Sequence, residues 1–260
     1  MRASLAIAGV VLKEAYRRKD FYVLFVLTAA LTLGLGSANF FNDKSIVRYL
    51  KEVCLLFVWI SGLVIAVTTA ARQIPAEREN RTIFPLLAKP VSRWEVLFGK
   101  FLGCWAAGVF ALIVFYVFFA AISGLREKAF PVLNYFQAFW LHGIFVGVVV
   151  AMVLLGSVVF AAPSSNSTIS FVVVLGILLL GRHLNQVALQ QPPALGLILS
   201  VIYYAIPHLE FFDVRDLIIH GGGLVPWWAW GVATLYGLFY MAAFLALGWI
   251  RFRKLSLQAS

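Results

Sequence analysis

Charge is scarce in this chain. Acidic residues number 11 in 260, and charged residues of either sign make up 12%. Six windows hold none: 21–42, 53–71, 101–125, 129–181, 183–209 and 217–250. Each approaches or exceeds the roughly 20 residues a helix needs to cross a bilayer. Proline and polar clusters interrupt the two longest. Hydrophobic residues reach 62% and mean hydropathy is +0.93, against roughly 45–50% apolar in soluble domains. That excludes an ordinary soluble fold. The segments of about ten alternating residues that mark a membrane β-barrel are missing too. The reading is an all-α, polytopic membrane protein with one domain over 1–260.

Cysteine occurs twice, as Cys54 and Cys104. They fall near opposite faces on successive spans, which excludes a disulfide, so both read as small packing residues. The phosphate-loop pattern G-x-x-x-x-G-K-[ST] is absent: Phe101 follows Gly99-Lys100. H-E-x-x-H and G-x-S-x-G are absent as well, which argues against hydrolytic chemistry. The chain is expected to carry no catalytic residue, no cofactor and no metal. His208, Glu210, Asp213, Asp216 and His220 lie close in sequence, but their spacing matches no standard site and suits a polar outer loop. His142, alone in an apolar run, reads as a packed and hydrogen-bonded residue.

The expected spans are 21–41, 53–71, 101–123, 136–161, 168–187 and 226–250. The cluster Pro163-Ser-Ser-Asn-Ser167 is read as a tight turn between the fourth and fifth. Trp227, Trp228 and Trp230 form an aromatic belt at one end of the sixth, with Arg-Phe-Arg-Lys at the other. The first twelve residues loosely resemble a signal peptide, but the apolar part ends at Lys13-Glu14 without a cleavage site. Over 1–20, Leu5, Ala8, Leu12 and Ala15/Tyr16 recur at helical spacing opposite Lys13, Glu14, Arg17 and Arg18. This reads as an amphipathic helix on the membrane surface. The blander alternative is a basic flank that orients the first span.

Topology follows from positive charge. With 193–208 not crossing, the N-terminal segment, 72–100 and the C-terminal tail share one face and hold 14 Lys and Arg, against 7 on the other. The positive-inside rule then places both termini in the cytoplasm, and 188–225 becomes an outer region with a re-entrant element. A crossing at 193–208 would move the basic tail outside. The net charge of +10 is explained by inner loops facing anionic lipid, and nucleic acid is not an expected partner.

The segment from Pro75 to Lys100 holds 8 charged residues in 26. Pro75 is read as the end of span 2. Residues 82–87 suit a short helix with an apolar face, Pro85 being acceptable only in its first turn. Pro90 stops it. Ser92 and Glu95 have capping-box spacing for a second helix that runs into span 3. With every Asp, Glu, Lys and Arg read as outside the spans or at their ends, the chain lacks the buried charges of ion-coupled carriers. Its driving energy would enter from a separate ATPase through 72–100. The alternative is a solvated loop that only sets topology.

The run E-R-E-N-R-T-I-x-x-L-L-A-K-P-V-S-R-W-E-x-x-x-G-K-x-x-G, residues 77–103, resembles permease subunits of ABC transporters of the ABC-2 export class. It is most like permeases encoded beside copper-maturation and gliding-type transporters. The resemblance implies an N-terminal amphipathic helix, six spans, a cytoplasmic coupling helix between spans 2 and 3 and re-entrant outer helices before span 6. It implies two permeases, identical or related, above two copies of an ATPase subunit that binds the ATP, in a bacterial-type cytoplasmic (inner) membrane. By position Glu77, Glu79, Thr82, Leu86 and Leu87 would meet the ATPase. Pro90, Arg93, Gly99 and Lys100 would set the return into span 3. Pro85 departs from the pattern inside the helix.

Two other classes fit the composition: a membrane anchor or scaffold for a cytoplasmic partner, and a membrane-embedded lipid-modifying enzyme. For a transporter, apolar aromatic spans suit a lipid, another hydrophobic molecule or a polymer threaded through a slot.

Overall fold

The computed structural model describes residues 2–17, 19–37, 43–80, 91–127 and 131–254. Its helices, in chain order, are α1 Arg2–Arg17, α2 Lys19–Ser37, α3 Asp43–Ala71, α4 Pro75–Glu79 and α5 Arg93–Glu127. There follow α6 Val132–Val159, α7 Pro163–Leu189, α8 Pro193–Ala205, a 3₁₀ turn Leu209–Phe212, α9 Arg215–His220 and α10 Trp227–Lys254.

The axis of the bundle is α6. Of its 28 residues 18 are buried, as expected for a helix that is apolar all round and enclosed by others. It packs against α3, α5, α7 and α10. Small residues let the backbones approach: a Cβ on Gly237 of α10 would sit 2.2 Å from Ile144 Cγ2, and one on Gly147 2.5 Å from Met241 Cε. Trp59 of α3 stacks on Phe145 at 4.7 Å. Cys54 and Cys104 are buried and unbridged.

Among the described residues six stretches are long and apolar enough to cross a membrane: Arg48–Glu79, Arg93–Leu125, Val132–Val159, Pro163–Gly181, Ala194–His220 and Trp227–Lys254. The chain is an all-α, six-span polytopic membrane protein. The bundle has a near end and a far end. The near end holds Ala71, Arg93, Pro163 and Lys254. The far end holds Arg48, Val132 and Trp227.

Several helices outrun the expected spans. Helix extends between the expected spans over 43–52, 124–127 and 132–135, because α3 starts at Asp43, α5 continues to Glu127 and α6 starts at Val132. Pro75 does not end a span: α3 ends at Ala71 and Pro75 opens α4. Likewise 163–167 is no turn but the first turn of α7, with Pro163 at the helix start, where its missing N–H costs nothing. The chain breaks instead at Phe160–Ala162.

Ala194–His220 qualifies by composition yet is built as three short helices. α8 has 13 residues, about 20 Å, well short of the roughly 30 Å hydrocarbon core. It folds back along α7, with Gly196 against the Ala188 carbonyl. At its end Tyr240 of α10 donates to the carbonyls of Tyr204, Ala205 and Ile206 at 3.5, 3.4 and 3.3 Å. The 3₁₀ turn and α9 then return to the far end, where Lys51 donates to the Ile218 carbonyl at 3.3 Å. Asn134 and Gln137 of α6 hold the carbonyls of Gly223 and Val225 at 2.7 and 2.9 Å.

Candidate functional site

The near end collects most of the polar side chains singled out in the sequence. After Ala71 the chain turns through 72–74 and enters α4, five residues long. Lys100, two turns into α5, is 2% exposed. A buried ammonium with three N–H donors needs three acceptors. Lys100 Nζ donates to the Gln73 carbonyl at 2.9 Å, to Gln73 Oε1 at 3.4 Å and to Glu77 Oε1 at 2.6 Å. Gln73 is aimed by its own amide, which donates to the Thr69 carbonyl at 3.1 Å. The ion pair locks the α3–α4 turn onto α5.

The start of α5 is fixed on its other side. Ser92 N–H donates to Glu95 Oε2 at 3.1 Å, and Glu95 N–H donates to Ser92 Oγ at 3.2 Å. The capping box read from the sequence is formed. Arg93 donates through one nitrogen to the carbonyls of Phe252 and Arg253 at 2.5 and 3.1 Å. These belong to the last turn of α10, whose carbonyls lack helical partners. Trp94 stands edge-on to Trp249 at 6.2 Å, and the Arg253 guanidinium lies 5.1 Å over the Trp249 ring.

Asn166 ties in the remaining helices. It is fully buried and donates to the carbonyls of Ala71 at 3.1 Å and Val153 at 3.2 Å. Ser170 donates to its oxygen at 3.3 Å. Gly156 makes the room, since a Cβ there would lie 2.3 Å from Asn166 Oδ1.

The two glycines of the G-K-x-x-G motif seat α1. A Cβ at Gly99 would lie 2.7 Å from the Ser4 carbonyl oxygen, and one at Gly103 2.6 Å from Val11 Cβ and 2.9 Å from the Ala8 oxygen. The docked face of α1 is therefore Ser4, Ile7, Ala8 and Val11. The stripe read from the sequence is divided: Ala8 belongs to the seat, while Leu5, Leu12 and Tyr16 stay exposed at 63%, 39% and 60%. Both faces carry apolar residues because α1 lies between α5 and the bundle's surroundings.

Of the nine residues marked for coupling, Glu77 and Lys100 are brought together, and Gly99 seats α1. Arg93 engages α10, and Glu79 is exposed at the end of α4. Thr82, Leu86, Leu87 and Pro90, with Pro85 and the expected helix over 82–87, lie outside the described residues. Sequence reading missed Gln73 and Asn166. Gln73 carried a usable signal, a lone amide four residues before Glu77 at the end of an apolar run.

The far loop is also less solvated than expected. Arg215 binds Asp213 through two nitrogens at 2.8 and 2.6 Å, and its guanidinium lies 5.2 Å over the ring of Trp59, midway along α3. These charges do not lie wholly outside the bundle, but they neutralise each other. His220 contacts Arg48 at 2.6 Å, and His208 faces Glu210 at 3.5 Å. Asp213, His220 and the His208–Glu210 pair thus lie in three separate contacts, and among the described residues no three His, Cys, Asp or Glu gather. His142 is packed and meets the Tyr116 hydroxyl at 3.4 Å.

Compared with families of known proteins, residues 13–257 match the model described as "ABC-2 family transporter protein". No curated protein matches the chain.

Proposed function

This chain belongs to the ABC-2 family of transporter proteins, and on that premise we propose that it is the permease subunit of an ATP-driven exporter. Membership of a transporter family supports a transport subunit rather than an enzyme. ABC-2 membrane proteins generally pair with a cytoplasmic ATPase subunit. In this reading two such subunits bind and hydrolyse ATP beneath two permeases, the second identical or related, in a cytoplasmic membrane.

The near end faces the cytoplasm, with both termini, and 72–100 receives the ATPase. Glu79, Thr82, Leu86 and Leu87 form the contact, with Pro90 and Arg93 turning the chain back. The observation that carries this reading is the lock of Lys100 on Glu77 and Gln73. Between two spans a loose loop would absorb a push. A loop whose entry is bolted to α5, and whose exit is capped by Ser92 and clamped by Arg93, passes the push into α3, α5 and α10 together. Glu77 therefore acts inside the lever rather than at its contact surface.

The crossing helices in this reading are α2, α3, α5, α6, α7 and α10. The stretch 193–220 is re-entrant: both flanking helices meet it at the far end, and the non-helical joint at Pro207 and His208 is tolerated because both residues are buried. α1 rides as an interfacial helix on Gly99 and Gly103. The narrower likeness to copper-maturation and gliding permeases rests on the 77–103 motif.

The test is copurification of the full chain with the product of an adjacent reading frame carrying a phosphate loop, followed by replacement of 77–87 with a Gly/Ser linker. Loss of substrate-stimulated ATPase activity with the chain still folded supports coupling. Transport that survives the replacement, or failure of any ATPase to copurify, overturns it. Recruitment of an ATPase without transport would identify a scaffold.

A further inference from the structure

A cavity of about 420 Å³ lies between α1, α3 and α5, within the roughly 300–1,000 Å³ range of small-molecule sites. Its walls are apolar: Leu12, Ile65, Ala107 and Phe110 contribute. The two polar residues of the α3 wall are turned back on their own helix. Thr68 Oγ1 donates to the Val64 carbonyl at 2.8 Å and Thr69 Oγ1 to the Ile65 carbonyl at 2.6 Å. A hydrated ligand or a cluster of waters would need several polar partners in the wall, and here the wall presents methyl groups.

The polarity sits at the rim. Lys13 and Arg17, one helical turn apart on α1, both border the cavity and are exposed. No carboxylate pairs with either among the described residues. Tyr16 stands beside them, edge-on to Tyr22 at 6.0 Å, an amphipathic ring of the kind found at headgroup level. An apolar slot with two cations at its rim complements a molecule that has a hydrocarbon chain and an anionic head.

We propose that this cavity binds one anionic phospholipid of the surrounding membrane, its acyl chain between α1, α3 and α5 and its phosphate on Lys13 and Arg17. The lipid then becomes part of the near-end assembly, wedged between the helix seated on Gly103 and the two helices joined by Lys100 and Gln73. The site needs no ATPase, so its failure would leave the transport reading untouched.

The test is native mass spectrometry of the purified full chain exposed to phosphatidylglycerol or phosphatidylcholine. The chain should retain phosphatidylglycerol preferentially. Lys13→Ala/Arg17→Ala should weaken that retention roughly 25-fold, at about fivefold for each surface cation removed. Lys13→Arg/Arg17→Lys should preserve it, and Ala107→Leu, which narrows the slot, should reduce retention of both lipids. Equal retention of the two lipids, or unchanged retention in the double alanine variant, overturns the proposal. So does binding of glycerol 1-phosphate as strong as that of phosphatidylglycerol, since that would mark a soluble-anion site. Should the double alanine variant fail to fold, Ala107→Leu and the glycerol phosphate comparison decide.

Discussion

Lys100 Nζ and Glu77 Oε1 lie 2.6 Å apart, with side-chain exposures of 3% and 29%. The asymmetry sets what each substitution does. Glu77→Ala strands a buried ammonium on the two oxygens of Gln73. Breaking a fully buried pair costs about 3–5 kcal/mol; partial exposure of the carboxylate lowers the expectation to about 2 kcal/mol. Lys100→Met removes the charge that needed compensation, so Glu77→Ala/Lys100→Met should be less destabilised than Glu77→Ala alone. Thermal unfolding midpoints of the four purified chains in one detergent check this. A double variant at the sum of the two singles would show that the residues do not interact.

Gly99 and Gly103 should not tolerate a side chain. At Gly99 the opposing atom is the Ser4 backbone oxygen, 2.7 Å from a would-be Cβ, and backbone cannot rotate away as a flexible side chain can. Overpacking of this kind costs about 1–3 kcal/mol, here spent in lifting α1. Ser4, 5% exposed, reports it: in a Ser4→Cys background, Gly99→Ala should raise maleimide labelling severalfold. Cys54 and Cys104 are both buried and give a low background. Labelling that stays at the Gly99 level would mean that α1 is not held there.

Asn166 is expected to be the most sensitive polar position in the bundle. Asn166→Leu withdraws donors from the carbonyls of Ala71 and Val153, and the larger apolar end meets Gly156. The Val153 carbonyl keeps its helical partner within α6, but the Ala71 carbonyl faces Pro75, which has no N–H; a buried acceptor left without a donor costs about 1–3 kcal/mol, so the unfolding midpoint should fall further than for any exposed polar substitution. Asn166→Asp should fall at least as far, because an ionised carboxylate has no N–H to offer and is itself buried. An Asp variant as stable as the parent would mean that the two donated bonds contribute little.

What the sequence made legible follows from the range of the interactions. Charge-free windows located the lipid-crossing mass of the bundle, because burial in hydrocarbon excludes charge residue by residue. The Ser92–Glu95 box was legible because it closes within one turn. Helix ends were not: hydropathy drops where a helix leaves the lipid, whereas α3 and α5 keep their hydrogen bonds well beyond that point. Asn166 was misread as a turn residue because its seat depends on Gly156 and Ala71, which only the packing of three helices brings near. The Asp213–Arg215 pair was assigned to solvent because its depth depends on how α8 folds back, and composition does not encode that path.

The Asp213–Arg215 pair should hold the 193–220 segment against α3. Arg215 makes a two-pronged bond to Asp213 and lies over Trp59, so its planar head matters as well as its charge. Arg215→Lys keeps the charge but gives up the fork and the stacking; it should recover only part of the stability lost in Arg215→Ala. Asp213→Asn leaves the guanidinium against Trp59 with a weaker partner and should fall between the two. With side chains 22% and 28% exposed, the full loss is expected at about 2 kcal/mol, below the fully buried range. Hydrogen exchange at Ile218 and Ile219 localises the effect, since α9 is the element the pair anchors. Faster exchange there, with α6 unchanged, is the expected pattern. Unchanged exchange in Arg215→Ala would show that Lys51, through the Ile218 carbonyl, holds α9 without the pair.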